Sequence, residues 1–149
     1  MAEGDGVVYN QFKEDVLNQV HDFSNDTLKV TLHASYTPNI DTHVVWATTG
    51  VSSTEYSTAS GYTAGGKTLG SVATSVNTSS DRAEVDCTDV TWTSLGPLSP
   101  ATPGHAILWN DTPTSPADPL IGYWELGTTA TNGGNYTLTI GANGFFQLT

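Results

Sequence analysis

Four histidines, fifteen carboxylates and one cysteine are the side chains in this 149-residue sequence best suited to hold a metal or move a proton. Zinc asks for closely spaced nitrogen and sulfur ligands. His21, His33, His43 and His105 form no HExxH pattern, and Cys87 has no second cysteine to join it. His33 falls at a polar position of an alternating stretch. All four histidines are therefore read as surface or structural. Glu84, Asp86 and Asp89, with Asp81 nearby, form an acidic cluster in which Glu84 and Asp86 share a strand face. Calcium wants about six to eight oxygens, set by an Asp-x-Asp loop with a glycine. That loop is missing, so the cluster reads as a solvated face, and a cation shared between subunits stays open. Gly61–Gly66 is glycine-rich, yet no helix follows it, so it is not read as a phosphate loop. Its glycines are expected to permit tight turns. There is no G-x-S-x-G elbow and no suggestive Ser, His and Asp set. A carboxylate pair for glycoside hydrolysis is always open in an acidic β-protein. The expectation is no catalytic residue, no cofactor, no metal and no enzyme.

The elements that would carry such groups are mostly strands. Ala106–Trp109 and Leu120–Trp124 are rich in branched and aromatic residues and bounded by turn formers, the signature of strands. Asn110-Asp111-Thr112-Pro113 closes the first of them. Their tryptophans are expected to pack the centre of the core, because large aromatics bury the most surface. Trp46, Trp92, Tyr62 and Tyr123 sit in or near other apolar patterns and read as core before carbohydrate groove. Tyr9, Phe12, Val16, Val20 and Phe23, with Leu17, recur at helical spacing, which predicts a helix over 9–23 capped by Asn10. Leu28, Val30, Leu32 and Ala34 alternate with Lys29, Thr31, His33 and Ser35, predicting a strand with one wet face. Short strands are expected at Val44–Trp46, Thr68–Val76 and Ala83–Trp92. Tyr136–Ile140 and Phe145–Leu148 are expected to close as a hairpin on the Asn143-Gly144 turn. Gly50–Gly70 reads as a long shaped loop, of the kind that often carries function. The sum is mainly β, an antiparallel two-sheet sandwich of jelly-roll or Ig-like type with one N-terminal helix. Residues 1–8 read as a flexible arm and 9–149 as a single domain.

Composition limits the partners. The formal net charge is −11, with only 4 Lys and Arg. Nucleic acid and anionic membranes both need cations facing phosphate, so neither is expected. The opening MAEGDGVVYNQF has no basic region followed by an apolar run, and no secretory signal is read there. The lone Cys87 excludes an internal disulfide and suits synthesis in a reducing compartment. Asn25, Asn77, Asn110 and Asn135 match N-x-S/T, a pattern that arises readily by chance in a Ser- and Thr-rich chain.

Three blocks in order carry a resemblance. They are Asn25-Asp-Thr-Leu-Lys-Val-Thr-Leu32 after the helix, Gly61-Tyr-Thr-Ala-Gly-Gly66, and Ala106-Ile-Leu-Trp-Asn-Asp-Thr-Pro113 continuing to Pro119-Leu-Ile-Gly-Tyr-Trp124. Together they resemble a family of small structural proteins of tailed bacteriophages. The resemblance implies a virion protein made in the host bacterial cytoplasm, with capsid decoration, or cement, as its role. Its implied partners are the major capsid protein and further copies of itself, as a trimer. A tail or head–tail connector component is the alternative within the virion, and a surface carbohydrate-binding module the alternative outside it. Contacts are expected from the arm (Val7, Val8), from the long loop (Tyr56, Tyr62) and from the proline-studded loop (Pro113, Pro116, Pro119).

Overall fold

The computed structural model describes residues 6–149. Two strands hold its centre. β7 (His105–Asn110) and β8 (Leu120–Glu125) pair antiparallel, with a register shift between Leu108 and Trp109. Both strands are almost continuously buried, which is why their sequences are unbroken apolar runs rather than alternating ones. β7 also pairs along its whole length with β2 (Leu28–His33), from Leu28 opposite Asn110 to His33 opposite His105. β1 (Val7–Val8) and β3 (Lys67–Thr68) complete a five-stranded antiparallel sheet in the order β1-β8-β7-β2-β3. A three-stranded sheet has the order β10-β5-β4, from β4 (Ala73–Asn77), β5 (Arg82–Asp86) and β10 (Phe146–Leu148). β6 (Val90–Trp92) and β9 (Tyr136–Leu138) form a third, two-stranded sheet. The protein is mainly β, with three antiparallel sheets and one α-helix among the described residues. One core cluster takes residues from every sheet, among them Val85, Val90, Leu138, Leu32 and Ile107.

The helix, α1, spans Asn10–Leu17 and is shorter than the predicted 9–23. Its end has a specific cause. Gln19 takes a left-handed φ of 58°. Its N–H donates to the Val16 carbonyl, and the Val20 N–H donates to the Asp15 carbonyl. This is the two-bond Schellman closure, which satisfies the last carbonyls and turns the chain away. Phe23 keeps an apolar role beyond it, since its ring meets Phe12 edge-on at 6.3 Å. Asn10 is the first helical residue rather than the cap, and its amide donates to Asp41.

Four further expectations are corrected. Strand β2 has no wet face, since Thr31 and His33 are fully buried. The segment after Trp46 covers them; His33 bridges Glu55, and the Tyr56 N–H donates to the Leu32 carbonyl. Val44–Trp46 is a single bridge from Val45 to Pro119 rather than a strand, and Trp46 stacks on Trp109 at 4.8 Å. The 68–76 stretch divides between β3 and β4, which lie in different sheets. The closing hairpin does not form. The turn exists, with the Gly144 N–H on the Gly141 carbonyl, but it sends β10 to β5 while β9 stays with β6. Of the expected arm, residues 1–5 lie outside the described residues. Val7 and Val8 are sheet residues, opposite Tyr123 and Gly122.

Candidate functional site

α1 is amphipathic but covers only part of its apolar surface. Phe12 is fully buried and meets Phe146 of β10 edge-on at 4.8 Å. One turn on, Leu17 is 79% exposed. Between α1, the β1 edge and the C-terminal strand lies an open groove of about 530 Å³. Val8, Val16, Leu17, Trp124, Phe146 and Leu148 give it an apolar lining, and Lys13 is its cation. Val7 and Leu148, 40% and 57% exposed, belong to the same region. β1 is the outer strand of the five-stranded sheet and β10 the outer strand of the three-stranded one. The groove is therefore bordered by two strands that, among the described residues, each have one unpaired edge. Apolar surface beside unpaired backbone is the arrangement that takes up an extended chain, through main-chain hydrogen bonds and side-chain pockets.

Of the contacts expected from sequence, Val8 lines this groove and Val7 adjoins it. Tyr56 and Tyr62 do not present a surface, because both rings are buried. The Tyr62 hydroxyl donates to Glu55 Oε1 at 2.7 Å and accepts the Leu32 N–H at 3.0 Å. Burial and the Glu55 carboxylate together push its pKa upward. The Tyr56 hydroxyl donates to the Pro100 carbonyl. Replacing Tyr62 with Phe is expected to cost about 2 kcal/mol, because it strands a buried Leu32 N–H and takes a donor from Glu55. Urea unfolding measures this, and a loss below about 0.5 kcal/mol would show that water replaces the hydroxyl. The three prolines divide: Pro116 is exposed, Pro113 half-buried, and Pro119 buried beside the Val45 bridge. Only the first two lie on the outer part of their loop.

The sequence signal for the groove was present but pointed inward. Leu17 widens the helix stripe, and Phe146 and Leu148 sit in what reads as a hairpin. Both patterns predict core. Early closure of α1 and rerouting of β10 leave Leu17 and Leu148 exposed and Phe146 half-buried instead.

In letters, Gly61–Thr68 has the Gly-x4-Gly-Lys-Thr spacing of a phosphate loop, because Lys67 and Thr68 follow Gly66 directly. The structure does not build that site. Lys67 and Thr68 form strand β3 where a helix would have to begin. The Gly65 N–H donates to Glu55 Oε1 and the Ala64 N–H to Thr58 Oγ1, so a carboxylate and a hydroxyl already occupy these two donors. Lys67 donates to the Thr91 carbonyl.

The histidines gather more than their spacing suggests. His33 is held between Thr31 Oγ1 and Thr54 Oγ1, each at 2.9 Å. Burial, with His105 opposite, pushes its pKa down to about 3. Tyr9, Tyr36 and His43 form a chain through two contacts of 2.6 Å. Burial lowers the His43 and His105 pKa values as well. Full burial keeps His33 neutral near pH 7. In the acidic cluster, Glu84 is engaged by Arg82 Nε at 2.6 Å and by Asn77. Asp89 accepts the Ile140 N–H and Asp86 the Cys87 N–H. Burial, with Asp86 and Asp89 nearby, pushes the Cys87 thiol up to about 12. Among the described residues no group of three or more His, Cys, Asp or Glu converges as a metal site. Nor is any helix there long and apolar enough to cross a membrane.

A comparison with protein-family models, curated proteins and solved structures finds no match to this chain.

Proposed function

We propose that this chain is a structural protein of a bacteriophage virion that binds the outside of the assembled capsid and stabilises it. The observation that carries the reading is the open apolar groove, bordered by two unpaired strand edges, on a chain of net charge −11. The occupant proposed for it is an extended segment of the major capsid protein. The resemblance of the three sequence blocks to small phage structural proteins supports the same reading. A protein that binds only the assembled shell stabilises it by mass action. Many copies around symmetry axes add avidity, and a trimer is the oligomer proposed. Strong acidity fits the outside of a shell better than contact with packaged DNA. For the architecture, we propose that the sheets face each other as a sandwich, because one core cluster draws on all three.

The test is to add purified protein to empty shells of the phage that encodes it and count bound copies. Hundreds of copies per particle are expected; about six to a few dozen would place the protein at the neck or tail instead. The double variant Leu17→Ser, Leu148→Ser is expected to weaken shell binding at least tenfold. Its thermal midpoint should change little, because both side chains are exposed. Unchanged binding would remove the groove from the proposal.

A further inference from the structure

A second surface lies at the opposite edge of the three-stranded sheet. β4 is the outer strand there, and Ala73, Thr74, Ser75 and Val76 are all exposed. At five residues it is longer than the other strands that end a sheet, β1, β3, β6, β9 and β10, which have two or three. Natural proteins protect such an edge by shortening it, placing a lysine or proline on it, or bulging it away. None of these devices is present. From Gly70 to Ser80 there is no charged residue and no proline, and the pairing of β4 with β5 runs without a register shift.

The two faces of this sheet differ. On one, Val76, Ala83 and Leu148 stand in a row across three strands, and Thr74, Val85 and Phe146 stand in the next. Val76 is 74% exposed. On the other face Ala73 lies beside Asp86, and Asn77 beside Arg82.

We infer that β4 pairs antiparallel with β4 of a second copy, about a two-fold axis through Ser75, to join two sheets into one of six strands. Four features select a second copy as the occupant. First, this register alone overlaps all five residues of both strands. Second, it sets Thr74 opposite Val76 of the other copy, so the apolar rows join as Leu148-Ala83-Val76 and then Thr74-Val85-Phe146. A one-residue slip would place apolar side chains against the polar face. Third, on the polar face the joined row runs Asp86, Ala73, then Asn77 and Arg82 of the other copy, with opposite charges at its two ends. Fourth, the two paired strands carry no charged residue, and Glu84 of each copy, beside Ser75, stands three strand spacings from its mate and is already paired with Arg82. Cross-strand pairs of Thr with Val are among those that stabilise sheets. The contact is isologous and closes on two copies. It uses a different edge from the groove and does not depend on the capsid reading. If both hold, it links neighbouring oligomers on a shell.

The test combines a cross-link with a protection measurement. Ser75→Cys places a thiol on the two-fold axis facing its own symmetry mate, whereas Ser79→Cys lies beyond the paired strand. Mild oxidation is expected to cross-link the first variant at least tenfold faster than the second; Cys87 is buried in both. In the unmodified protein, amide exchange of residues 73–77 is expected to slow as concentration rises from micromolar to millimolar. Val76→Lys should abolish that concentration dependence without lowering the thermal midpoint. Equal cross-linking at both cysteines, or exchange of 73–77 independent of concentration, would overturn the pairing. So would a concentration dependence that persists in Val76→Lys.

Discussion

Acidification from pH 7 to pH 4 is expected to lower the unfolding free energy by roughly 3 kcal/mol through His33 alone. In the unfolded chain a histidine titrates near 6.5, while in the fold burial and His105 hold His33 down to about 3. Below pH 6.5 the unfolded state therefore binds a proton that the folded state refuses. Stability then falls as pH falls, and the loss grows until the folded pKa is reached. His105, His43 and His21 are lowered by burial and act in the same direction. The Asp22 and Glu84 pKa values are lowered by their hydrogen bonds, so those groups contribute only at more acidic pH. Glu55 and Asp118 are raised by burial and oppose the trend as they protonate. Between pH 6.5 and about 4.5 the histidines are the groups that lower stability, with the raised carboxyls opposing them. Urea unfolding at pH 7, 6, 5 and 4 measures the slope. His33→Gln is expected to remove close to one proton from that slope, whatever it costs at pH 7. A slope unchanged in the variant would show that His33 is protonated or exposed in the native state.

Gly66→Ala is expected to be among the most damaging single-methyl additions in the chain, at about 3 kcal/mol or more. Two effects add. Gly66 has φ of +72°, a left-handed conformation that costs an alanine about 1–2 kcal/mol. A Cβ there would also lie 2.0 Å from the Val30 carbonyl oxygen and 2.7 Å from Thr31 Cγ2. Val30 belongs to β2, paired on both sides in the five-stranded sheet, so it cannot withdraw without opening that sheet. Gly65→Ala is the control. Its φ is +91°, but a Cβ there meets nothing within 4 Å. It should lose only the conformational part. Equal losses in the two variants, by thermal or urea unfolding, would show that β3 moves aside freely.

The strongest strands were legible because their chemistry is local. Ala106–Trp109 and Leu120–Trp124 are runs of branched and aromatic residues with turn formers at their ends, and β7 and β8 lie there. The helix was legible in existence but not in length. Apolar periodicity continues to Phe23, whereas the backbone reverses at Gln19. A stripe of apolar residues reports burial, and burial continues past the helix through Phe23 against Phe12. The reading of β2 failed differently. Alternation with Thr and His predicts water on one face, but hydroxyl and imidazole groups can also be buried when they satisfy each other. Here Thr31, His33 and Thr54 do so.

Local propensity and the period of side chains along the backbone were enough to define a β-rich acidic chain, the presence of a helix near its start, the principal strands and the glycine turns. Pairing is not local, and it was decided in three dimensions. A turn at Gly141–Gly144 reads as a hairpin, yet β9 and β10 go to different sheets because Val90–Trp92 and Arg82–Asp86 offer the better partners. That choice carries Leu148 to the surface beside Leu17 and forms the groove. It also leaves β4 as the open outer strand of its sheet. Both candidate surfaces thus arise from which strands pair, a property that no single stretch of the chain contains.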